Sequence, residues 1–325
     1  MGNLNRNIVK FIGMWYYNAE RQEVSSLNNA YLSEFHERQE TLPAGFDIFH
    51  RNDTHPSRFL LHSHDFYEIF FMLSGGMDAI AGGRRYALVP GSILLLSPGE
   101  LHRPCLLAEP DQPYERIVLW LSPRLFADQD PLFAGLQKAV FGKHAHLLPD
   151  EAAAGDLRAL LTSLLWEKDS SSPDAGANAR ETLAQLLRRL KRCLEEGTSV
   201  RPAAEDLRKS TEMAVYQCIE KHWTRDISVF TLARQFHIDP NALTRQFHWL
   251  TGLTPGDYIR KKRLSGAYRM IAGGMRMQEA CQSSGFRDYS AFYRAFRQAY
   301  GLSPRAFSRE CAAKGAGQEE PCPSK

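Results

Sequence analysis

Two groups of residues in this sequence have types and spacings that could carry chemistry. The first is His62-x-His64-xxx-Glu68, two imidazoles and a carboxylate close together in the chain. In an extended strand, side chains alternate with a period of two, so all three share one face if no bulge intervenes. Imidazoles with one carboxylate suit a divalent transition metal. They equally suit hydrogen bonding to a small molecule, or to one another at a strand edge. The second group is Asn241, Thr244 and Arg245, then Tyr289, Ser290, Tyr293 and Arg294. Arginine pairs with guanine edges, asparagine reads adenine, and Ser, Thr and Tyr bond phosphates. The chain has no GxxxxGK[ST] loop and no GxSxG elbow, so any catalysis would rest on the histidines alone.

The elements that must position these residues fall into sections. From about Phe46 to Leu121, short apolar runs (Glu68–Leu73, Met77–Ile80, Arg85–Val89, Ile93–Leu96) alternate with glycine-rich turns. That spacing predicts an all-β barrel or sandwich. From about Asp150 to Glu196, two leucine stripes at helical spacing run from Leu157 to Leu165 and from Leu183 to Leu194. The second stripe could be a dimer seam or could pack on its own barrel. Gly197 to Pro202 reads as an interdomain linker. From about Thr211 to Arg309 the pattern is helical again, and the last residues read as a disordered tail.

The helical block contains one arrangement twice. Leu232–Phe236 is a short amphipathic segment followed by a turn. Asp239-Pro240 then opens a second helix, because Asp is a preferred N-cap and Pro is tolerated at N1. Leu243, Phe247 and Leu250 form its apolar stripe, and Gly252 stops it. About fifty residues on, Met277–Ser284, the turn Gly285–Arg287, the cap Asp288 and a helix to Tyr300 before Gly301 repeat the plan. A connecting helix from about Thr254 to Ala272 carries Arg260, Lys261, Lys262, Arg263 and Arg269. Two such units read as paired helix-turn-helix modules whose second helices enter neighbouring major-groove segments. The bland alternative is a helical scaffold with a solvated basic face.

Charge agrees with a polyanion partner. Residues 211–310 hold 15 Lys/Arg and 8 Asp/Glu, a balance of +7, whereas the remainder holds 25 and 29, a balance of −4. Six scattered cysteines form no CxxC pair, which excludes a zinc ribbon or disulfide framework and points to a reducing cytoplasm. No apolar run is long enough to span a membrane. Ile8 to Tyr17 makes a poor signal peptide, and Arg6 spoils a myristoylation signal at Gly2.

The C-terminal hundred residues resemble the AraC/XylS family of transcription regulators. The resemblance is carried by Leu232-Ala233, Leu243, Arg245, Phe247, Gly252, Pro255, Tyr258, Arg263-Leu264 and Ala267. It continues through Gly285-Phe286, Phe292, Arg294, Phe296 and Gly301-Leu302-Ser303-Pro304. It implies DNA contacts at Asn241, Thr244, Arg245, Tyr289, Ser290, Tyr293 and Arg294. The family's usual Ile-Ala is Ala280-Cys281 here, and its usual Tyr-Arg is Phe307-Ser308, which suggests looser packing in the second unit.

The N-terminal stretch His62–Glu68, followed by Gly91 to His102, resembles the two motifs of the cupin β-barrel. That resemblance adds His102 to His62, His64 and Glu68. In a ligand-sensing pocket, Tyr67, Phe70, Phe71 and Trp120 could supply apolar or stacking walls. Three readings stay open: His62, His64, Glu68 and His102 line a sensory pocket without metal, the same four form a divalent metal site, or His62 and His64 merely cap the strand edge.

The expected fold is therefore α+β multidomain. A cupin-like sensor domain spans 1–149, a helical linker and dimerisation segment 150–204, an AraC-type domain 205–310 and a tail 311–325. The expected protein is a non-enzymatic regulator without cofactor. Its expected partners are double-stranded DNA, a small-molecule effector of the sugar class, a second copy of itself and RNA polymerase. A cupin-type metalloenzyme fused to a DNA-binding domain is the alternative.

Overall fold

The computed structural model describes residues 45–53, 60–105, 114–126, 130–142, 145–197 and 200–316. The readings made for Gly2, Arg6 and Ile8–Tyr17, and one of the six cysteines, Cys322, lie outside them. Two compact units are present. The first holds residues 45–218 together with Leu232–Thr254; the second holds Ile219–Thr231 and the residues from Pro255 onward.

In the first unit the strands are β1 (Phe46–Asp53), β2 (Tyr67–Ser74), β3 (Met77–Ala81), β4 (Arg84–Leu88), β5 (Ile93–Leu96), β6 (His102–Cys105), β7 (Tyr114–Leu121), β8 (Ala145–Leu147), β9 (Val200–Arg201) and β10 (Glu205–Asp206). They form a six-stranded sheet, β1-β7-β2-β5-β8-β9, and a four-stranded sheet, β10-β4-β3-β6. Among the described residues, pairing is not continuous around the two sheets, so the predicted barrel is there an open, two-sheet one. An isolated bridge between His62 and His102 ties the segment before β2 to β6.

The central strands are apolar on both faces because both faces are covered. Ile69 and Phe71 of β2, Ile93 and Leu95 of β5, and Ile117 and Leu119 of β7 pack against helices α1 (Leu136–Phe141), α2 (Glu151–Lys168) and α3 (Ala175–Glu196). Phe70, Met72, Leu94, Leu96 and Val118 point instead to the second sheet, where they meet Met77, Ala79, Tyr86 and Leu88. Tyr67 and Phe71 therefore lie on the helix-covered face, while Phe70 and Trp120 lie on the face between the sheets. The four do not form one pocket wall.

The leucine stripe of α3 does not form a free seam. Leu183, Leu186, Leu187 and Leu190 are at most 1% exposed and belong to the core shared with the sheet. Each such burial contributes about 2 kcal/mol, which a seam in a partner would have to replace. The predicted linker is pinned as well. Both β9 and β10 add to sheet edges, Glu205 opposite Arg85 and Asp206 opposite Arg84. Residues 205–209, which the sequence reading assigned to the DNA-binding domain, thus sit on the β4 edge with Leu207 fully buried.

The remaining helices are α4 (Thr211–His222), α5 (Val229–Gln235), α6 (Pro240–Thr251), α7 (Pro255–Ala272), α8 (Met277–Ser283), α9 (Tyr289–Tyr300) and α10 (Pro304–Ala316). The last enters the segment expected to be a disordered tail; residues 317–325 lie outside the described ones. In the second unit Leu264, Ala267, Ile271, Phe292, Phe296 and Phe307 form one core. Ala280 and Cys281 are buried in it, and the Phe307 ring stacks on Tyr268 at 4.1 Å. The two departures from the family pattern are thus absorbed by the core. Among the described residues, no helix is long and apolar enough to cross a membrane.

Candidate sensor site and nucleic-acid interface

The residues expected to form the sensor site, His62, His64, Glu68 and His102, converge, though not by strand parity. His62 and His64 precede β2 in an irregular segment; only Glu68 lies on the strand. What brings them together is the His62–His102 bridge, with backbone hydrogen bonds of 3.0 and 2.8 Å in the two directions. His64 Nε2 lies 2.7 Å from Glu68 Oε2, and His102 Nε2 lies 3.5 Å from the same oxygen. The His62 and His102 rings are 4.3 Å apart between centroids. Phe66 stacks on His64 at 3.8 Å, and Trp120, opposite Glu68 in the β2–β7 register, closes the side. The buried Trp120 Nε1 has no hydrogen-bond partner among the described residues.

The electrostatics follow from burial and proximity. Burial, helped by the neighbouring His102, lowers the His62 pKa to about 4. Burial alone would raise Glu68, but hydrogen bonds from His102 and His64 outweigh it and hold the carboxyl well below the usual carboxylate range. Burial would lower His102, yet the Glu68 hydrogen bond prevails and raises it. The cluster can therefore hold a cation, or a proton, between one carboxylate and its imidazoles. It can also bond the hydroxyls of a small molecule.

The residues expected at nucleic acid sit on two helices built alike. Asp239 caps α6 by accepting from the Asn241 and Ala242 amides, each at 2.9 Å. Asp288 caps α9 by accepting from Ser290 and Ala291, each at 3.0 Å. Both helices end at a left-handed glycine, Gly252 or Gly301. Leu243, Phe247 and Leu250 are fully buried, which turns Asn241 and Arg245 outward. On α9, burial of Phe292 and Phe296 turns Tyr289, Ser290, Tyr293 and Arg294 outward. Thr244 is half-buried, and its hydroxyl donates to the Pro240 carbonyl at 2.8 Å. Sequence reasoning could not see that this donor is already used.

The basic connecting helix α7 is largely structural. Lys262 is buried and paired with Glu220 at 2.8 Å. Arg263 donates to the Trp223 and Arg225 carbonyls at 2.9 and 2.7 Å. The i, i+3 spacing of Asp257 and Arg260 signals their ion pair, but nothing local signals the first two.

Comparison with known proteins fits this arrangement. A model described as the AraC-like ligand binding domain matches residues 46–210, half of the chain. The chain belongs to the AraC family. A helix-turn-helix domain model matches residues 232–310 of the regulator. It is 27% identical over 249 residues to the HTH-type transcriptional activator RhaS of Salmonella schwarzengrund, covering 75% of this chain and 85% of that one. RhaS of Salmonella arizonae matches to the same extent. Among solved structures, ToxT from Vibrio cholerae is 14% identical, covering 82% of this chain and 98% of that one, with a TM-score of 0.32. The DNA-binding domain of AdpA in complex with a target DNA is 26% identical, covering 32% and 95%, with a TM-score of 0.31. The regulator is thus a ligand-sensing, DNA-binding transcription factor. The metalloenzyme alternative gives way to that family membership.

Proposed function

We propose that the regulator reads its operator through Asn241 and Arg245 of α6, with Thr244 packing between them. Tyr289, Ser290, Tyr293 and Arg294 of α9 add base and phosphate contacts. One observation carries this reading: the apolar stripe of each capped helix is fully buried, so the side chains expected at DNA, all but the half-buried Thr244, are the exposed ones. His62, His64, Glu68 and His102 take the effector. A carboxylate, imidazoles and the unpartnered Trp120 indole N–H favour a small polyhydroxylated molecule, of the sugar class. The effector biases a DNA-binding equilibrium. The regulator works in the cytoplasm as a homodimer on paired half-sites, and it activates transcription by engaging RNA polymerase.

Selection of bound genomic fragments supplies the operator for the test. Arg245→Ala is expected to weaken operator binding by ~1–3 kcal/mol, about 5- to 150-fold, and to relax base preference at one position. Unchanged affinity and preference would remove α6 from the reading role. Binding that does not weaken with rising salt would remove phosphate contacts altogether.

A further inference from the structure

The last turn of α6 is held by two groups of the sheet-bearing segment, in the same compact unit. Leu61 donates its backbone N–H to the Thr251 carbonyl at 3.1 Å. Arg103 of β6 donates from Nη1 to the Trp249 carbonyl and, at 3.5 Å, to that of His248. A helix runs out of internal donors at its last carbonyls, and the partial negative charge gathered there attracts a cation. The Gly252 amide serves the His248 carbonyl at 2.8 Å. Arg103 and Leu61 serve those of Trp249 and Thr251. The corresponding helix α9 ends on the same glycine cap, Gly301 to the Arg297 carbonyl at 2.9 Å, and lies in the other compact unit.

Both grips stand on one backbone bridge. Leu61 precedes His62, Arg103 follows His102, and the His62–His102 pair exchanges hydrogen bonds of 3.0 and 2.8 Å. The β6 strand is paired in turn to β3, with Arg103 opposite the buried Ile80. The two donors therefore move together, and α6 meets a platform of fixed geometry. Arg103 is half-buried, and burial lowers its pKa from the ordinary value. An arginine stays charged all the same, so its guanidinium must find acceptors where it sits.

The grip leaves the reading face clear. Asn241 and Arg245 are exposed, and Arg245 lies one turn before Trp249, about 6 Å along the axis. A recognition helix contacts base edges through its N-terminal residues. A hold on the last turn aims those side chains without covering them, whereas a contact built to hide the helix would cover that half instead.

We propose that Arg103 is a positioning residue for operator reading: with the Leu61 amide it forms a two-point clamp by which the sensor sheets fix the direction of α6. The clamp rests on the reading of α6 as the operator-reading helix. Fixing the helix before it meets DNA removes part of the ordering cost of binding.

The test uses the full chain and the selected operator. Arg103→Ala is expected to weaken operator binding at least about fivefold, the low end of a typical coupling between two sites. The slope of log affinity against log salt should stay as in wild type, because Arg103 touches the helix and not phosphate. Arg103→Lys, whose ammonium can donate to the same carbonyls, should recover most of the loss. Amide hydrogen exchange at Leu61 should quicken at least about fivefold in Arg103→Ala, since the second grip loses its companion. Circular dichroism melts accompany each variant, and Arg103→Gln stands in should Arg103→Ala not fold. Arg245→Ala is measured alongside. A loss in Arg245→Ala without one in Arg103→Ala overturns the clamp and leaves α6 as the reader. No loss in Arg245→Ala overturns the reading of α6 and the clamp with it. Tighter binding by Arg103→Ala overturns positioning, because the contact then restrains the helix. A salt slope reduced by about one makes Arg103 itself a phosphate contact and overturns the proposal as well. So does an Arg103→Lys variant that binds no better than Arg103→Ala, or an unchanged Leu61 amide.

Discussion

Arg85 holds Glu205 across the β4–β10 pairing, Nε to Oε2 at 3.1 Å, while its Nη1 reaches the buried Asp78 at 2.9 Å. The chain leaving the helical segment is therefore clasped to the sheet before α4 begins. Next to the clasp, Leu207 is 1% exposed and donates its N–H to the Gly83 carbonyl at 2.8 Å. Leu207→Ala is expected to lower stability by ~2–4 kcal/mol through the cavity it leaves. Glu205→Ala should cost at most ~1 kcal/mol, because its carboxylate is solvated. Chemical denaturation of the full chain compares them. Equal effects would mean that the ion pair, not the leucine, anchors the strap.

His237 turns the chain between α5 and α6 with φ of 52°, a non-glycine residue in left-handed conformation among the described residues. The equivalent turn of the second unit uses Gly285, φ 84°. The β-carbon costs His237 roughly 1 kcal/mol there. His237→Gly is expected to raise the unfolding midpoint, and His237→Val to lower it. A destabilised glycine variant would show that the imidazole makes a compensating contact.

In the second unit, Gly266 of α7 lies beneath the Trp223 ring. A β-carbon there would come within 2.3 Å of the indole. At Gly285 it would come within 2.6 Å of the Thr224 carbonyl, in a conformation that already disfavours alanine. Gly266→Ala and Gly285→Ala should each cost ~1–3 kcal/mol. Trp223 fluorescence should change in the first variant. An unchanged spectrum with full stability would mean that the ring has another seat.

Burial, with Arg201 nearby, lowers the pKa of His146 on β8 from its ordinary 6.5 to about 4. Between those values the unfolded chain takes up a proton that the folded chain refuses. Folding stability is therefore lost as pH falls from 6.5 towards 4, by up to ~1.4 kcal/mol per pH unit from this residue. Above pH 7 the contribution is constant. His146→Gln should show a shallower stability loss over that window than wild type. Parallel curves would place the acid sensitivity elsewhere.

Arg245 and Arg294 occupy comparable faces of two helices with the same caps, yet only the first is preceded by an asparagine at the helix start. Arg245→Ala is expected to alter base preference, whereas Arg294→Ala should weaken binding more evenly across sequences. Selection with each variant distinguishes them. A preference change in Arg294→Ala alone would reverse the roles of the two units.

By itself the sequence determined the local elements of this protein. Asp239 and Asp288, with Gly252 and Gly301, mark where α6 and α9 start and stop, because capping is a property of a few adjacent residues. The apolar runs of β2 to β5 and the turns between them are legible for the same reason. Tertiary structure decided what each face meets. A helical stripe such as Leu183 to Leu190 says that a surface is buried, not whether its own sheet or a second chain covers it. Val200 and Arg201 look like part of a linker, and Glu205 to Leu207 like the start of the DNA-binding domain, because two-residue strands draw their stability from edges remote in the chain. Lys262 and Arg263 read only as part of a basic connecting helix until Glu220 and the Trp223 carbonyl are placed opposite them. His62, His64, Glu68 and His102 are legible as types, but strand parity does not join them. A backbone bridge between His62 and His102 does, and pairing at that sequence distance is settled only when the whole sheet closes around it.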